Sequence, residues 1–164
     1  MQQPARQPCT RLGLLLLIGC AALALFPGAA LAAPPALDEA KAQATCAEQW
    51  TKRGQTDKQM FRYCMTKQRE GHDRATDLYR KYSTIKSIDA IVRYASEKWL
   101  TRREYQYDMV AYEIEKQGEA FLDVAFDYNA KKYSDPEVEA CIGKWIRSDE
   151  PQWDMVAYCL KNGR

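Results

Sequence analysis

The chain has a single histidine, His72, in 164 residues, and nowhere does it carry a Cys-x-x-Cys pair. Those two scarcities exclude several chemistries at once. Zinc sites draw on clustered cysteine and histidine, thiol exchange favours closely spaced cysteines of lowered pKa, and a nucleophilic dyad or triad needs a base oriented by a third group. His72 sits in the polar run Arg69-Glu70-Gly71-His72-Asp73-Arg74, which gathers no such constellation and reads as an exposed helix face. No metal and no cofactor are expected. Glycine- or proline-rich linkers are also missing after residue 37, which favours one continuous domain.

What is present begins with a leader. Arg6 and Arg11 precede an apolar stretch from Leu12 to Phe26, then Pro27-Gly28 and the small-residue run Ala29-Ala30-Leu31-Ala32-Ala33, the charge, apolar core and cleavage-site order of a secretory signal. Cleavage after Ala32 removes residues 1–32 and predicts a periplasmic or secreted protein. Leu17-Ile18-Gly19-Cys20 resembles a bacterial lipobox, with lipid anchoring through Cys20 as the alternative, although the residues after Cys20 stay apolar where a lipoprotein turns polar. A retained anchor would have to run through Pro27-Gly28 to approach the ~20 residues a membrane crossing needs, so no transmembrane span is expected in the mature chain.

Removing the leader takes away two arginines and no acid, leaving 22 basic against 22 acidic side chains. Without a basic excess, no nucleic-acid partner is expected, and long-range steering by net charge is excluded.

Four cysteines remain, Cys46, Cys64, Cys141 and Cys159. An even number in an exported chain reads as a disulfide framework with three possible pairings. Cys46, Trp50, Met60, Tyr63 and Cys64 superpose on Cys141, Trp145, Met155, Tyr158 and Cys159, so the unit Cys-x3-Trp-x9-Met-x2-Tyr-Cys occurs twice. Between them lies a third copy: Lys98-Trp99-Leu100 and Asp108-Met109-Val110-Ala111-Tyr112 match Lys144-Trp145-Ile146 and Asp154-Met155-Val156-Ala157-Tyr158. This is an internal repeat with a period of 46 to 49 residues. In the middle copy Ala95 and Glu113 stand at the two cysteine positions. Both cysteines are lost together, which favours bonds inside each copy, Cys46 with Cys64 and Cys141 with Cys159.

Apolar and small residues recur at steps of three and four along Met60, Cys64, Gln68, Gly71, Ala75, Leu78 and Tyr82, and again from Met109 to Tyr128, as in amphipathic helices. Breaks fall at Gly54-Gln55-Thr56, Thr101-Arg102-Arg103 and Ser148-Asp149-Glu150-Pro151. Thr56 with Gln59 and Ser134 with Glu137 have capping-box spacing. The expected architecture is all-α, with three tandem helix-hairpin units over about 37–82, 84–132 and 134–164, packed as one bundle or short solenoid behind a loose leader at 33–37.

Trp50, Trp99, Trp145, Met60, Met109, Met155, Tyr63, Tyr112 and Tyr158 recur at helical spacing and are assigned to the core. Tyr105, Tyr107, Tyr128 and Tyr133 are candidates for an exposed aromatic patch. The echo of Lys67-Gln68 and Glu70 in Lys116-Gln117 and Glu119 reads as a solvated face. Glu113 is the exception: a carboxylate at an inward cysteine position is desolvated and its pKa rises, making it a candidate acid or ligand contact unless Lys98, Lys116 or a tyrosine satisfies it.

Two functions follow as expectations. One is a non-enzymatic protein-interaction or structural module whose partner is another envelope or extracellular protein. The other is a small envelope-polymer hydrolase or lyase using Glu113 with Asp108 or Glu104, which for glycoside chemistry needs carboxyls roughly 5 to 10 Å apart.

Overall fold

The computed structural model describes residues 33–101, 104–147 and 150–163. The expected leader, residues 1–32 with Cys20, lies outside them. Six helices among the described residues form three antiparallel pairs: α1 (Glu39–Trp50) with α2 (Lys58–Lys81), α3 (Ile88–Lys98) with α4 (Tyr107–Asn129), and α5 (Asp135–Trp145) with α6 (Trp153–Asn162). The all-α hairpin architecture is as the repeat predicts. So are the two disulfides, Cys46–Cys64 and Cys141–Cys159, each with its Cα atoms 5.8 Å apart. A loop of this size contributes about 3 kcal/mol in the chain-entropy account.

Each hairpin turns through a small antiparallel ribbon that periodicity did not announce: β1 (Thr51–Lys52) on β2 (Gln55–Thr56), β3 (Leu100–Thr101) on β4 (Glu104–Tyr105), and β5 (Ile146–Arg147) on β6 (Glu150–Pro151). The first ribbon closes through Arg53 and Gly54, with φ of 53° and 78°. Two successive positive φ values are what a type I′ hairpin turn requires. The ribbon ends lock alike, with the Asp57 N–H donating to the Trp50 carbonyl at 2.9 Å and the Gln106 N–H to that of Trp99 at 3.0 Å. Thr56 is not the cap expected of it: its hydroxyl pairs with that of Thr51 at 2.7 Å across the ribbon. Asp57 caps α2 instead, accepting from the N–H groups of Gln59 and Met60 at 3.0 Å. The Ser134–Glu137 box does form, with the carboxylate accepting from the Ser134 N–H and hydroxyl.

The lengths of α2 and α4, 24 and 23 residues against 12 and 11 for their partners, set the stacking. The first half of each long helix pairs with its own short helix, and the second half carries the next unit. Helix α4 starts where Gly71 leaves the face of α2 without a side chain: a Cβ at residue 71 would lie 2.3 Å from the Asp108 backbone nitrogen. Successive second helices are thus parallel and offset by about twelve residues, or ~18 Å.

The two junctions repeat each other. Gln68 accepts from the Tyr107 N–H at 3.4 Å, and Gln117 accepts from the Asp154 N–H at 3.3 Å. His72 meets Tyr107 edge-on at 5.3 Å, and its counterpart Phe121 meets Trp153 edge-on at 4.7 Å. Arg74 pairs with Glu115, and the corresponding Asp123 pairs with Lys161 with polarity reversed. The central core runs from Ala75 and Tyr82 through Ile91 and Ala95 to Val110 and Ile114, with smaller clusters around each disulfide. Residues 33–37 are not a loose leader. Pro34 is buried, Leu37 packs on the first cluster, and the Ala36 carbonyl accepts from the Tyr107 hydroxyl at 2.8 Å.

Candidate functional site

The two junctions share a frame and differ in their contents. At the second, the ammonium of Lys98 donates to Glu113 Oε2 at 2.8 Å, across the α3–α4 hairpin where the sister units carry disulfides. Gln117 Nε2 donates to Glu113 Oε1 and to Asp154 Oδ1, both at 2.8 Å. Lys116 reaches Asp154 Oδ2 at 2.8 Å and Glu113 Oε1 at 3.8 Å. Two cations and two anions therefore neutralise one another around one amide. Glu113 is 1% exposed, and burial pushes its carboxyl up. The hydrogen bonds from Lys98 and Gln117 and the charges of both lysines outweigh burial and hold the pKa below the ordinary value. Asp154 is likewise held low against burial by Lys116 and Gln117. Glu113 is thus a satisfied structural anion, not the raised-pKa acid that its position suggests. Gln117, 1% exposed, is no part of a solvated face.

At the first junction the counterparts differ. Gln49 stands for Lys98, the disulfide sulfur of Cys64 for Glu113, and Asp108 for Asp154. Lys67 stands for Lys116 but pairs with Glu70 at 3.5 Å and overlies the Tyr63 ring at 5.7 Å. The result is a cleft of about 600 Å³ between α1, α2 and the β3–β4 ribbon, walled by Trp50, Tyr63 and Tyr105 and carrying Glu48, Glu104 and Asp108. A groove of about 520 Å³ remains at the second junction along Tyr112, Lys116, Asp154 and Tyr158, but Lys98 and Trp99 do not line it.

Glu104 is the unusual group. It projects from β4 and is 5% exposed, with no hydrogen bond or ion pair to its carboxylate among the described residues. Burial pushes its pKa up, the Asp38 charge adds to the rise, and Lys41 opposes it. Nearby Tyr107 is pushed to about 12, first by burial and then by Glu104, Tyr105 and Asp38. The β-ribbon brings Glu104 and Asp108 to this cleft and leaves Glu113 in the other junction, so the three carboxylates considered together in sequence do not form one site.

The tyrosine assignments reverse. Tyr63, Tyr112 and Tyr158 are 56%, 50% and 61% exposed, because each lies about 100° round its helix from the inward cysteine position that follows it. Tyr107 is fully buried, while Tyr105, Tyr128 and Tyr133 are partly buried. Trp50, Trp99, Trp145, Met60, Met109 and Met155 are each partly buried. His72 is half-buried against Tyr107 rather than solvated. Among the described residues no cluster of His, Cys, Asp and Glu is placed to hold a metal ion, and no helix is long and apolar enough to cross a membrane.

Fold and junctions together define a disulfide-braced array of helical hairpins. No family model, no curated protein and no solved structure matches the chain.

Proposed function

We propose that this chain is an exported helical-repeat protein that works by binding, with the cleft at the first junction as its recognition site and another envelope or extracellular protein as its partner. The observation that carries the reading is internal to the molecule: the same junction frame is built twice, and where the second carries a network of its own lysines and carboxylates, the first presents a cleft lined with aromatic rings, amides and carboxylates. Helical arrays commonly present binding surfaces between their units. Paired cysteines belong to oxidising compartments, which together with the residues 1–32 leader supports a periplasmic or secreted location; anchoring through Cys20 is the alternative processing. Cross-linking in intact cells, followed by capture of the tagged protein and mass spectrometry, tests both parts. An N-terminus at Ala33 with a retained envelope protein is expected; a full-length cytosolic chain with free thiols contradicts export.

One observation favours a second reading. A buried carboxyl of raised pKa, Glu104, lines the same cleft as the exposed Asp108, and two carboxyls in unlike environments are what glycoside hydrolysis uses. Incubation with purified cell-wall polymer decides it: soluble fragments that disappear with Glu104→Gln support a hydrolase, and intact polymer supports binding.

A further inference from the structure

We infer that the Cys46–Cys64 disulfide is a site of thiol exchange, in which a thiol entering the cleft at the first junction attacks the Cys64 sulfur and the opened bridge releases α1. The bridge is the substrate of exchange and not its catalyst, so the chain needs neither a Cys-x-x-Cys pair nor a thiol of lowered pKa. Nor does the exchange require the protein partner proposed above.

The two bridges are alike in span and differ in access. Each joins cysteines 18 residues apart across an equivalent hairpin, with Cα atoms 5.8 Å apart, so loop closure favours neither. Cys141 and Cys159 are 2% and 5% exposed, packed with Val124, Val156 and Ile142. Val124 belongs to the distal half of α4, on which the third hairpin sits; among the described residues the first hairpin has no preceding long helix to sit on. There Cys46 is fully buried, but Cys64 is half-buried and lines the cleft of about 600 Å³. Its sulfur lies 3.9 Å from Oε1 of Gln49, an exposed side chain of the same cleft.

Disulfides open by attack of a thiolate on one sulfur through a mixed disulfide, and which sulfur can be reached decides the product. In this cleft the thiolate bonds to Cys64 Sγ as the bond between the two protein sulfurs breaks. The electron pair leaves on Cys46, whose thiolate takes a proton from water. A second thiol then attacks the mixed disulfide and frees Cys64, so that two reagent thiols are oxidised to their disulfide and one protein disulfide is reduced.

Helix α1 depends on the bridge. Its 12 residues are too few to hold a helix alone in water, and the central core takes none of its residues from α1. Without the bridge there remain the small cluster of Ala42, Cys46 and Met65 with Leu37 and Phe61, the exposed Glu39–Arg69 pair and the packing on β4. Since α1 supplies Thr45, Glu48, Gln49 and Trp50 to the cleft, exchange dismantles the wall that admits the thiol. Residues 33–38 go with it, including the Ala36 carbonyl that accepts from Tyr107.

The test treats the oxidised protein with reduced glutathione or with dithiothreitol for graded times, traps free thiols with N-ethylmaleimide and maps the peptides. Glutathione is expected on Cys64 and the free thiol on Cys46. Dithiothreitol is expected to open this bridge about tenfold faster than Cys141–Cys159, or more, because access sets the rate. The first rate should rise in proportion to the thiol and ignore sub-denaturing urea, as for attack on the folded state; the second should climb with urea, as for attack after opening. Gln49→Trp, a change at an exposed position beside the Cys64 sulfur, should slow the first bridge severalfold and leave the second as it is. Hydrogen exchange of protein alkylated at Cys46 and Cys64 should find α1 unprotected and α3 to α6 still protected. Equal rates at the two bridges, glutathione on Cys46, or a urea-dependent first rate that Gln49→Trp does not slow would overturn the exchange site. Unchanged protection of α1 after alkylation would overturn its release.

Discussion

A third disulfide can be installed in the middle unit by Ala95→Cys with Glu113→Cys. Both positions are buried, and they occupy the places of Cys46 and Cys64 in a hairpin whose ribbon has the same register. The substitution removes the Lys98–Glu113 bond. Lys98, whose side chain is 37% exposed, can turn to water, while Lys116 and Gln117 keep Asp154 at 2.8 Å each. Exchanging a buried, paired charge for an apolar link is close to neutral, within about 1–2 kcal/mol. The new loop spans the same 18 residues as its sisters and contributes about 3 kcal/mol. A net gain of about 2 kcal/mol follows, raising Tm by ~5–8 °C for a chain of this size. Non-reducing peptide mapping reads the link, and melts of the oxidised variant against wild type read the gain. Free thiols at 95 and 113, or exchange with the native cysteines, would refute the equivalence of the three units.

Lys98→Met leaves Glu113 buried with only Lys116 and Gln117, and should cost about 2 kcal/mol in urea at neutral pH, the penalty for breaking a buried pair discounted for the solvent exposure of the lysine. Because the folded pKa of Glu113 is lowered, its stabilisation is complete above the ordinary 4.5 and fades as pH falls through the folded value; the gap between Lys98→Met and wild type should therefore narrow in acid. Glu104 has the opposite sign. Its folded pKa is raised, so its contribution is present below 4.5 and lost as pH climbs through the folded value. Glu104→Gln should accordingly be more stable than wild type at neutral pH, with the difference vanishing in acid, and the same urea series checks both. Gly71→Ala drives a methyl into the backbone of α4 and should cost about 2–3 kcal/mol, whereas Gly143→Ala, with open space around it in α5, should gain about 0.5–1 kcal/mol; a comparable loss at both would refute the close α2–α4 approach.

The hairpins and their disulfides were legible because the repeat marks them twice over, once by cysteines at matched positions and once by their joint replacement with Ala95 and Glu113. The ribbons were not, because two-residue strands are too short to carry an alternating pattern, and Gly54 alone hinted at the first turn. Periodicity located the inward stripe but could not say which of its flanks meets a neighbour. Met65 and Tyr63 lie on opposite sides of Cys64, and only Met65 finds a covering surface, against Ala42 and Cys46. The echo of Gln68 in Gln117 was the one visible trace of the junctions, and its meaning depended on an offset between helices that no local pattern encodes. Glu104 escaped notice as a distinct site for the same reason: its strand packs on α1 of the preceding unit, and the charges that act on it, Asp38 and Lys41, come from there too.

The claim that the first junction is the recognition site is tested most directly by placing a photo-crosslinking amino acid at Tyr63 or at Tyr112, equivalent and similarly exposed positions beside the first and the second junction. Irradiation of intact cells should give one covalent adduct with the same protein from position 63 and none from position 112. Equal adducts from both, or an adduct from position 112 alone, would contradict it.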